Sequence, residues 1–229
     1  MNTNTKILET LEKEIAENTR YTGYEGLFSK TIEMLRANIR EEEAGKKGTK
    51  KPYKIIEKML KDAKRDNPNQ LLFQKAHEYG NKYGFLDGYR LFLSDDNMGY
   101  ESVNVANGAF KIEQLYNGID TYNMTDIEID ISELRYFAKV AKGGRNEKPT
   151  PYIIRTPDGF AGFNPNYLID LIDFSGSNKI KYIKSNAPIH SENMNALLLP
   201  VNVRDFTEAE YQEYRAKWFN EKQEGREAA

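Results

Sequence analysis

The chain has 229 residues, of which 39% are hydrophobic and 30% charged, a balance that fits a globular protein with an aromatic-rich core and excludes a disordered chain. Its 33 basic and 35 acidic residues leave a net charge of −2, so any affinity for nucleic acid must come from a local surface. It contains no cysteine, which excludes disulfides, thiolate metal sites and a cysteine nucleophile.

The two histidines, His77 and His190, each fall within a predicted strand, where we expect a structural role. A serine-histidine pair for nucleophilic catalysis stays formally open. No apolar run is long enough to cross a bilayer, and the first residues lack the apolar stretch of a signal peptide. We therefore expect a cytoplasmic protein.

Two amphipathic helices are predicted near the N-terminus. Apolar residues recur at helical spacing over residues 5–18 and again over about 27–42, with charged residues on the opposite face of each helix. The polar, glycine-containing stretch 41–52 predicts a linker. We place a domain boundary there.

A lysine-rich helix over residues 53–65 follows this linker. Its inward positions are apolar, and its outer surface carries Lys54, Lys58, Lys61, Lys64 and Arg65. Strands are predicted at 71–79 and 83–94 around a turn at Gly80 and Asn81, with Gly84 and Gly88 weakening the second strand or marking bulges. The pattern over 100–125 is mixed, and the topology there stays open.

The second half of the chain alternates strands and helices. Residues 126–131 predict a half-buried strand, after which Ser132 is expected to cap a helix over 133–141. The turn at 157–159 joins strands at 152–155 and 160–163. Asn164 and Pro165 then begin a helix over 165–174, and strands follow at 179–184, 187–191 and 195–203.

A last helix is predicted after these strands. A capping box at 207–210 begins it, and four aromatic residues form one stripe along its length to about residue 222. We expect these aromatic side chains to pack back on the domain or into a partner. Residues 224–229 are expected to be disordered.

Two charged motifs have a chemical interpretation besides an ordinary solvated surface. Asp126, Glu128 and Asp130 place three carboxylates on one strand face, as some metal-dependent nucleases do. The basic loop from Lys142 to Arg145 could contact a nucleic-acid backbone, although it lacks the Lys-Ser or Lys-Thr of a nucleotide-triphosphate loop. A solvated strand edge and a flexible loop are the simpler interpretations.

Two segments resemble the bacterial DNA polymerase III β subunit, the sliding clamp. Phe85-Leu-Asp-Gly-Tyr-Arg-Leu-Phe-Leu93 is similar to the recurring Thr-Asp-Gly-His-Arg-Leu strand of that family and follows a comparable helix at 53–65. Gly162-Phe-Asn-Pro-Asn-Tyr-Leu-Ile-Asp-Leu-Ile-Asp-Phe174 is followed by strands whose last one contains Leu-Leu-Pro-Val, which resembles the clamp's closing Leu-Met-Pro-Val. Leu86 and Tyr89 replace the family's usual Thr and His.

The resemblance implies an α+β, DNA-clamp-like domain at residues 51–205, with two strand-and-helix halves, sheets outside and helices inside. Residues 1–50 are then an added N-terminal helical segment with its linker, and residues 206–229 a C-terminal helix and tail. Weak, sequence-independent contact with double-stranded DNA is implied for Lys54, Lys58, Lys61, Lys64 and Arg65. The last strand is implied to form a pocket for replication proteins with Leu198, Leu199, Pro200 and Val201.

The expected function is that of a sliding-clamp-like accessory or modulator of DNA replication, encoded by a phage or mobile element, with no catalytic residue, metal or cofactor. A clamp ring contains about six such domains, so this chain either forms a homo-oligomer or binds a replication protein without encircling DNA. It also departs from the family, because clamps end soon after the strand that is followed here by an aromatic helix. Two alternatives stay open: an interaction module that keeps the fold without DNA binding, and a metal-dependent nuclease.

Overall fold

The computed structural model describes residues 3–17, 25–108, 110–116, 123–141, 149–184, 186–203 and 206–219. Helices and strands are mixed along the chain, which confirms the predicted α+β class. Among the residues described, no helix combines the length and the apolar character that crossing a membrane needs.

Among the described residues, eight strands form one large sheet, and two more form a separate hairpin. In chain order the strands are β1 (Ala76–Tyr79), β2 (Lys82–Leu86), β3 (Arg90–Ser94), β4 (Ser102–Val103), β5 (Thr125–Glu128), β6 (Tyr152–Thr156), β7 (Gly159–Phe163), β8 (Lys179–Tyr182), β9 (Ile189–Ser191) and β10 (Ala196–Leu198). The order in the large sheet is β4-β1-β2-β3-β10-β9-β8-β5, and only the β1–β4 pair is parallel. The β6–β7 hairpin confirms the predicted turn at 157–159.

The main helices lie in one layer on one face of this sheet. The helices are α1 (Thr3–Glu17), α2 (Glu25–Lys46), α3 (Lys50–Asp66), α4 (Glu113–Tyr116), α5 (Ile131–Val140), α6 (Pro165–Ser175) and α7 (Glu208–Phe219). α3 and α6 pack side by side on the central strands, as the sequence predicts, and α5 packs beside α6. α2 packs against α3, and α1 packs against α2.

The sheet and its helices contain an internal repeat. α3 leads into the antiparallel strands β1, β2 and β3, and α6 leads into the antiparallel strands β8, β9 and β10. The two halves meet where β3 pairs with β10, with Leu91 opposite Leu197. The halves therefore share one continuous sheet.

The central strands are buried on both faces. Phe92 points towards the helices, and its ring centroid lies 4.6 Å from that of Phe174 on α6. Leu91 points to the opposite face, where Ile112 covers it. A Cβ on Gly84 would lie 2.2 Å from Ile112 Cδ1. This close approach accounts for the glycine. Of the two interpretations that the sequence left open at Gly84, a bulge is excluded, since Gly84 pairs in register with Leu93 of β3.

Side-chain caps set the starts of three helices. Asn164 caps α6, and Thr207 and Glu210 form the capping box of α7, both as predicted. The cap of α5 differs from its prediction. The carboxylate of Asp130, and not Ser132, accepts hydrogen bonds from the first-turn N–H groups. Asp130 accepts two such bonds because a carboxylate at this position faces the positive end of the helix dipole.

The predicted strand over 83–94 is two strands joined by a turn. The carboxylate of Asp87 accepts hydrogen bonds from the N–H groups of Tyr89 and Arg90, at 2.9 and 2.7 Å. Gly88 has a φ of 88°, a conformation that residues with a Cβ rarely adopt. Because Asp87 and Gly88 lie between apolar residues, the sequence pattern predicted one continuous strand where the structure has a tight turn.

Other element bounds also shift. The stretch 41–52, predicted as a linker, is helical as far as Lys46, and α3 begins at Lys50. Ala44 is only 5% exposed, so the first part of this stretch packs against the domain as the end of α2. Residues 71–74 form a short 3-10 turn, and the strands predicted at 179–184, 187–191 and 195–203 are shorter than predicted.

The C-terminal helix packs back on the domain, one of the two arrangements that its sequence allowed. Phe219 is 7% exposed. Ring centroids 5.4 to 5.8 Å apart connect Phe137 of α5 with Tyr214, Trp218 and Phe219. The residues after 219, including the tail predicted to be disordered, lie outside the described part of the chain.

Both histidines lie in strands and are fully buried. The ring of His190 lies 5.5 Å from that of Tyr116, and neither of its nitrogens has a hydrogen-bond partner in the described structure. Burial lowers the pKa of His190 from 6.5 to about 4. The folded protein therefore holds this ring in its neutral form.

This burial makes stability depend on pH. The unfolded chain binds a proton at His190 near pH 6.5 and the folded protein only near pH 4, so the His190 contribution is complete above 6.5 and is lost as the pH falls. Between roughly pH 7.5 and pH 5, we expect the wild type to lose about 2 kcal/mol more unfolding free energy than His190→Leu loses. Urea denaturation followed by Trp218 fluorescence measures this difference. Equal pH dependence in the two proteins would contradict it.

Candidate functional site

The five predicted DNA-contacting side chains all lie on the exposed surface of α3. Their exposed fractions range from 50% at Lys64 to 71% at Lys61. They share this surface because the apolar side of the helix, including Ile56 and Met59, is buried against the sheet. Lys51, which the sequence prediction omitted, lies on the same helix and is 65% exposed.

Each of these cations has an acidic neighbour, which the sequence prediction did not anticipate. For Lys54, Lys58, Lys61, Lys64 and Arg65 in turn, the neighbours are Glu41, Asp170, Glu57, Glu33 and Asp62, at N–O distances of 3.1, 3.4, 3.1, 2.8 and 3.1 Å. The hydrogen bonds from Lys54 and Lys50 hold the pKa of Glu41 below its usual range. Pairing reduces the positive charge that this surface offers to a polyanion.

A buried charge network joins the helices to the turn before β3. The Arg90 side chain is 1% exposed, and its guanidinium donates to Asp87 at 2.7 and 2.9 Å and to Asp170 of α6 at 2.6 Å. The Tyr167 ring lies over this guanidinium, 3.8 Å from its carbon. Lys58 reaches the same Asp170 carboxylate from α3. Lys58 therefore positions α3 against α6 as well as presenting a charge.

Opposing effects act on the carboxyl group of Asp170. Burial raises its pKa above the ordinary value, while the charges of Lys58 and Arg90 act to lower it. The two cations offset much of the desolvation cost of a buried carboxylate. Of the two, Arg90 is the buried cation, so the charged form of Asp170 depends chiefly on it.

The predicted partner-binding residues divide between the core and the surface. Leu198 is 1% exposed and packs in the core, so its side chain offers no surface to a partner. Leu199 and Val201 are 37% and 41% exposed, and Pro200 is half-buried. The side chains alternate as expected for an extended chain that leaves the sheet.

Two tyrosines lie beside these exposed residues. The Leu199 N–H donates to the Tyr89 carbonyl oxygen at 2.9 Å, and the Tyr89 side chain is a large apolar group that is 59% exposed. Its ring lies 6.2 Å from that of Tyr167 on α6. We call four residues the apolar strip: Tyr89, its ring neighbour Tyr167, its backbone partner Leu199, and Val201 two residues further along the chain. Sequence reasoning did not assign the tyrosines to it, because only the β3–β10 pairing brings the two segments together.

The carboxylates considered for a nuclease site have other partners. Asp126 lies 3.0 Å from Lys181, and Glu128 accepts a hydrogen bond from Asn178. Asp130 caps α5. Among the residues that the structure describes, no group of three or more His, Asp or Glu side chains could hold a metal ion. The basic loop from 142 to 145 lies outside those residues.

Three comparisons with known proteins identified no relative of this chain. A scan against protein-family models, a search of curated proteins and a search of solved structures each found no match for this chain.

Removing the Arg90 charge would leave two carboxylates without their buried cation. We expect Arg90→Leu to lower the free energy of unfolding by about 3–5 kcal/mol. As a control, Lys58→Gln removes a largely exposed partner and should cost about 1 kcal/mol or less. Urea denaturation at neutral pH measures both changes. In a double-mutant cycle, Arg90→Leu with Asp170→Leu should cost less than the sum of the single losses, and additive losses would contradict the network.

Proposed function

We propose that this chain is a sliding-clamp-like accessory protein of DNA replication, which contacts the DNA backbone and a replication protein and performs no catalysis. The observation that carries this proposal is the pairing of β3 with β10. Each strand belongs to one of the two segments that resemble the clamp, and each closes a half made of one helix and three strands. This repeat supports a clamp-like domain, in which two such halves carry their helices on one face.

The helical layer supplies the surface for DNA. α3 carries seven basic and three acidic residues, whereas the whole chain has a net charge of −2. Lysine contacts with phosphates hold the duplex without identifying its bases, which suits a protein that moves along DNA. The carboxylate partners of Lys54, Lys64 and Arg65 are at least 35% exposed, so phosphates can replace these three partners at little cost.

The apolar strip supplies the surface for a protein partner. Tyr89 and Leu199 expose apolar atoms at the junction of the two halves, and the Tyr89 ring lies near Tyr167 of α6. Exposed aromatic and aliphatic side chains in one place are typical of the central contacts of protein interfaces. Encircling DNA would require about six copies of a domain of this kind, so the proposal includes a homo-oligomer.

A second candidate function is an interaction module that does not bind DNA. The pairing of every predicted DNA-contacting cation with a carboxylate favours this alternative, because it leaves the apolar strip as the more distinctive surface. Salt-dependent DNA binding separates the two candidates.

We expect the wild type to bind a short duplex weakly, without base preference, and with an affinity that falls steeply as salt rises. Lys54→Gln with Lys61→Gln should weaken binding at low salt and reduce the slope of log K against log salt by about 2. Lys58 is left intact because it contributes to the Arg90 network. Fluorescence anisotropy of a labelled duplex at several salt concentrations measures both quantities.

The matched control is Lys179→Gln with Lys181→Gln. It removes the same charge from the face of the sheet that is turned away from the helices. Lys181 is on that face because it pairs with His190, and His190 pairs with Leu197 on the same face. The control should bind like the wild type. An equal loss of duplex affinity in both variants would show that α3 is not the DNA-binding surface. Absence of duplex binding by the wild type at low salt would favour the interaction module.

A further inference from the structure

A groove separates α2 from α3 on the side of α3 that faces away from α6. Its volume is about 520 Å³, within the range of small-molecule sites. Leu60, Ala37 and Tyr100 contribute apolar and aromatic surface to it. Neither the resemblance to clamps nor the proposed replication role assigns a use to this groove.

The charged side chains around the groove are mostly basic. Two acidic residues, Glu33 and Glu57, line it together with five basic ones: Lys30, Arg36, Arg40, Lys61 and Lys64. Three of the basic residues come from α2, the helix that precedes the clamp-like region. The groove therefore concentrates positive charge in a chain that is slightly acidic overall.

Arg40 is the most enclosed of these cations. Its side chain is 19% exposed, and the guanidinium carbon lies 4.5 Å from the centroid of the Tyr100 ring. A Cβ on Gly99 would come within 2.9 Å of Arg40 Cγ, so the arginine stem packs tightly on the backbone there. Packing on both sides holds the guanidinium in one place, as a preorganised binding group requires.

The charge of Arg40 is only partly compensated. Its nearest carboxylate, Glu57, is 4.0 Å away and lies closer to Lys61, at 3.1 Å. The buried Nε of Arg40 has no acceptor in the described structure. A buried cation that lacks full pairing gains from an added anion, because the surrounding dielectric constant is low.

We propose that the groove between α2 and α3 binds a phosphate group, carried by a free nucleotide or by a DNA strand. Phosphate oxygens accept charge-assisted hydrogen bonds from Lys30 at the open side and from Arg36, which exchanges its carboxylate partner in α1, Glu12 at 2.7 Å, for the phosphate. Arg40 supplies fixed positive charge from within. Lys64 exchanges its carboxylate partner, Glu33, for the phosphate. A phosphate fits better than a single carboxylate, because its greater charge matches several converging cations.

Calorimetric titration of the full chain at low salt tests this site with two probes, inorganic pyrophosphate and a nucleoside diphosphate. We expect binding of at least one probe, and a loss of about tenfold or more in Lys30→Gln with Arg36→Gln. Both side chains are on the surface, so this variant should fold normally. The matched control, Lys179→Gln with Lys181→Gln, removes the same charge from the opposite face of the sheet and should change affinity by less than about twofold.

Arg40→Gln provides a second, more enclosed variant, with its fold checked by circular dichroism, and it should also lose affinity. No binding of either probe or of a short duplex by the wild type, or equal losses in the groove variant and its control, would overturn the proposal. If only the duplex binds and the groove variant loses it, the phosphate belongs to DNA. If a probe binds in the groove but the duplex does not bind at all, the phosphate site in the groove is supported and the proposed role in DNA replication is contradicted.

Discussion

The buried guanidinium of Arg90 connects the central sheet with the helical layer above it. Arg90 begins β3 and donates to Asp87 in the preceding turn and to Asp170 in α6. A charge that has lost its hydration is tolerable only while its partners stay in place, so this set of contacts fixes the turn and α6 relative to each other. Lys58 extends the same set to α3. The side-by-side packing of the two helices therefore has a polar component as well as the apolar core beneath it.

The same constraint determines the surface at the junction of the two halves. Tyr89 lies between the turn residue Asp87 and Arg90, and while these two face inwards, its side chain projects into solvent. The pairing of β3 with β10 then places Leu199 beside it. The apolar strip is thus a consequence of how the core is assembled, and a change in the charge network would disturb both the helical layer and this surface.

The N-terminal helices change the electrostatics of α3. Two glutamates of α2, Glu33 and Glu41, pair with cations of α3 that would otherwise face solvent alone. The same helix contributes Lys30, Arg36 and Arg40 to the groove between α2 and α3. α2 therefore weakens one positive surface while it builds another, and this redistribution depends on how closely α2 packs, since the pairs extend over only a few ångströms.

Local patterns in the sequence predicted the α+β class, most helices and strands, and the common surface of the α3 cations. These features follow from residues that are near neighbours in the chain: the cap at Asn164 acts within one turn, and helical spacing alone places Lys54 and Lys61 away from the core. The β3–β10 pairing, the contact of Arg90 with Asp170 and the pairing of Lys54, Lys58 and Lys64 with carboxylates of other helices depend on the tertiary structure. They join residues distant in sequence through strand register and helix packing, which local patterns of apolar and polar residues leave unspecified.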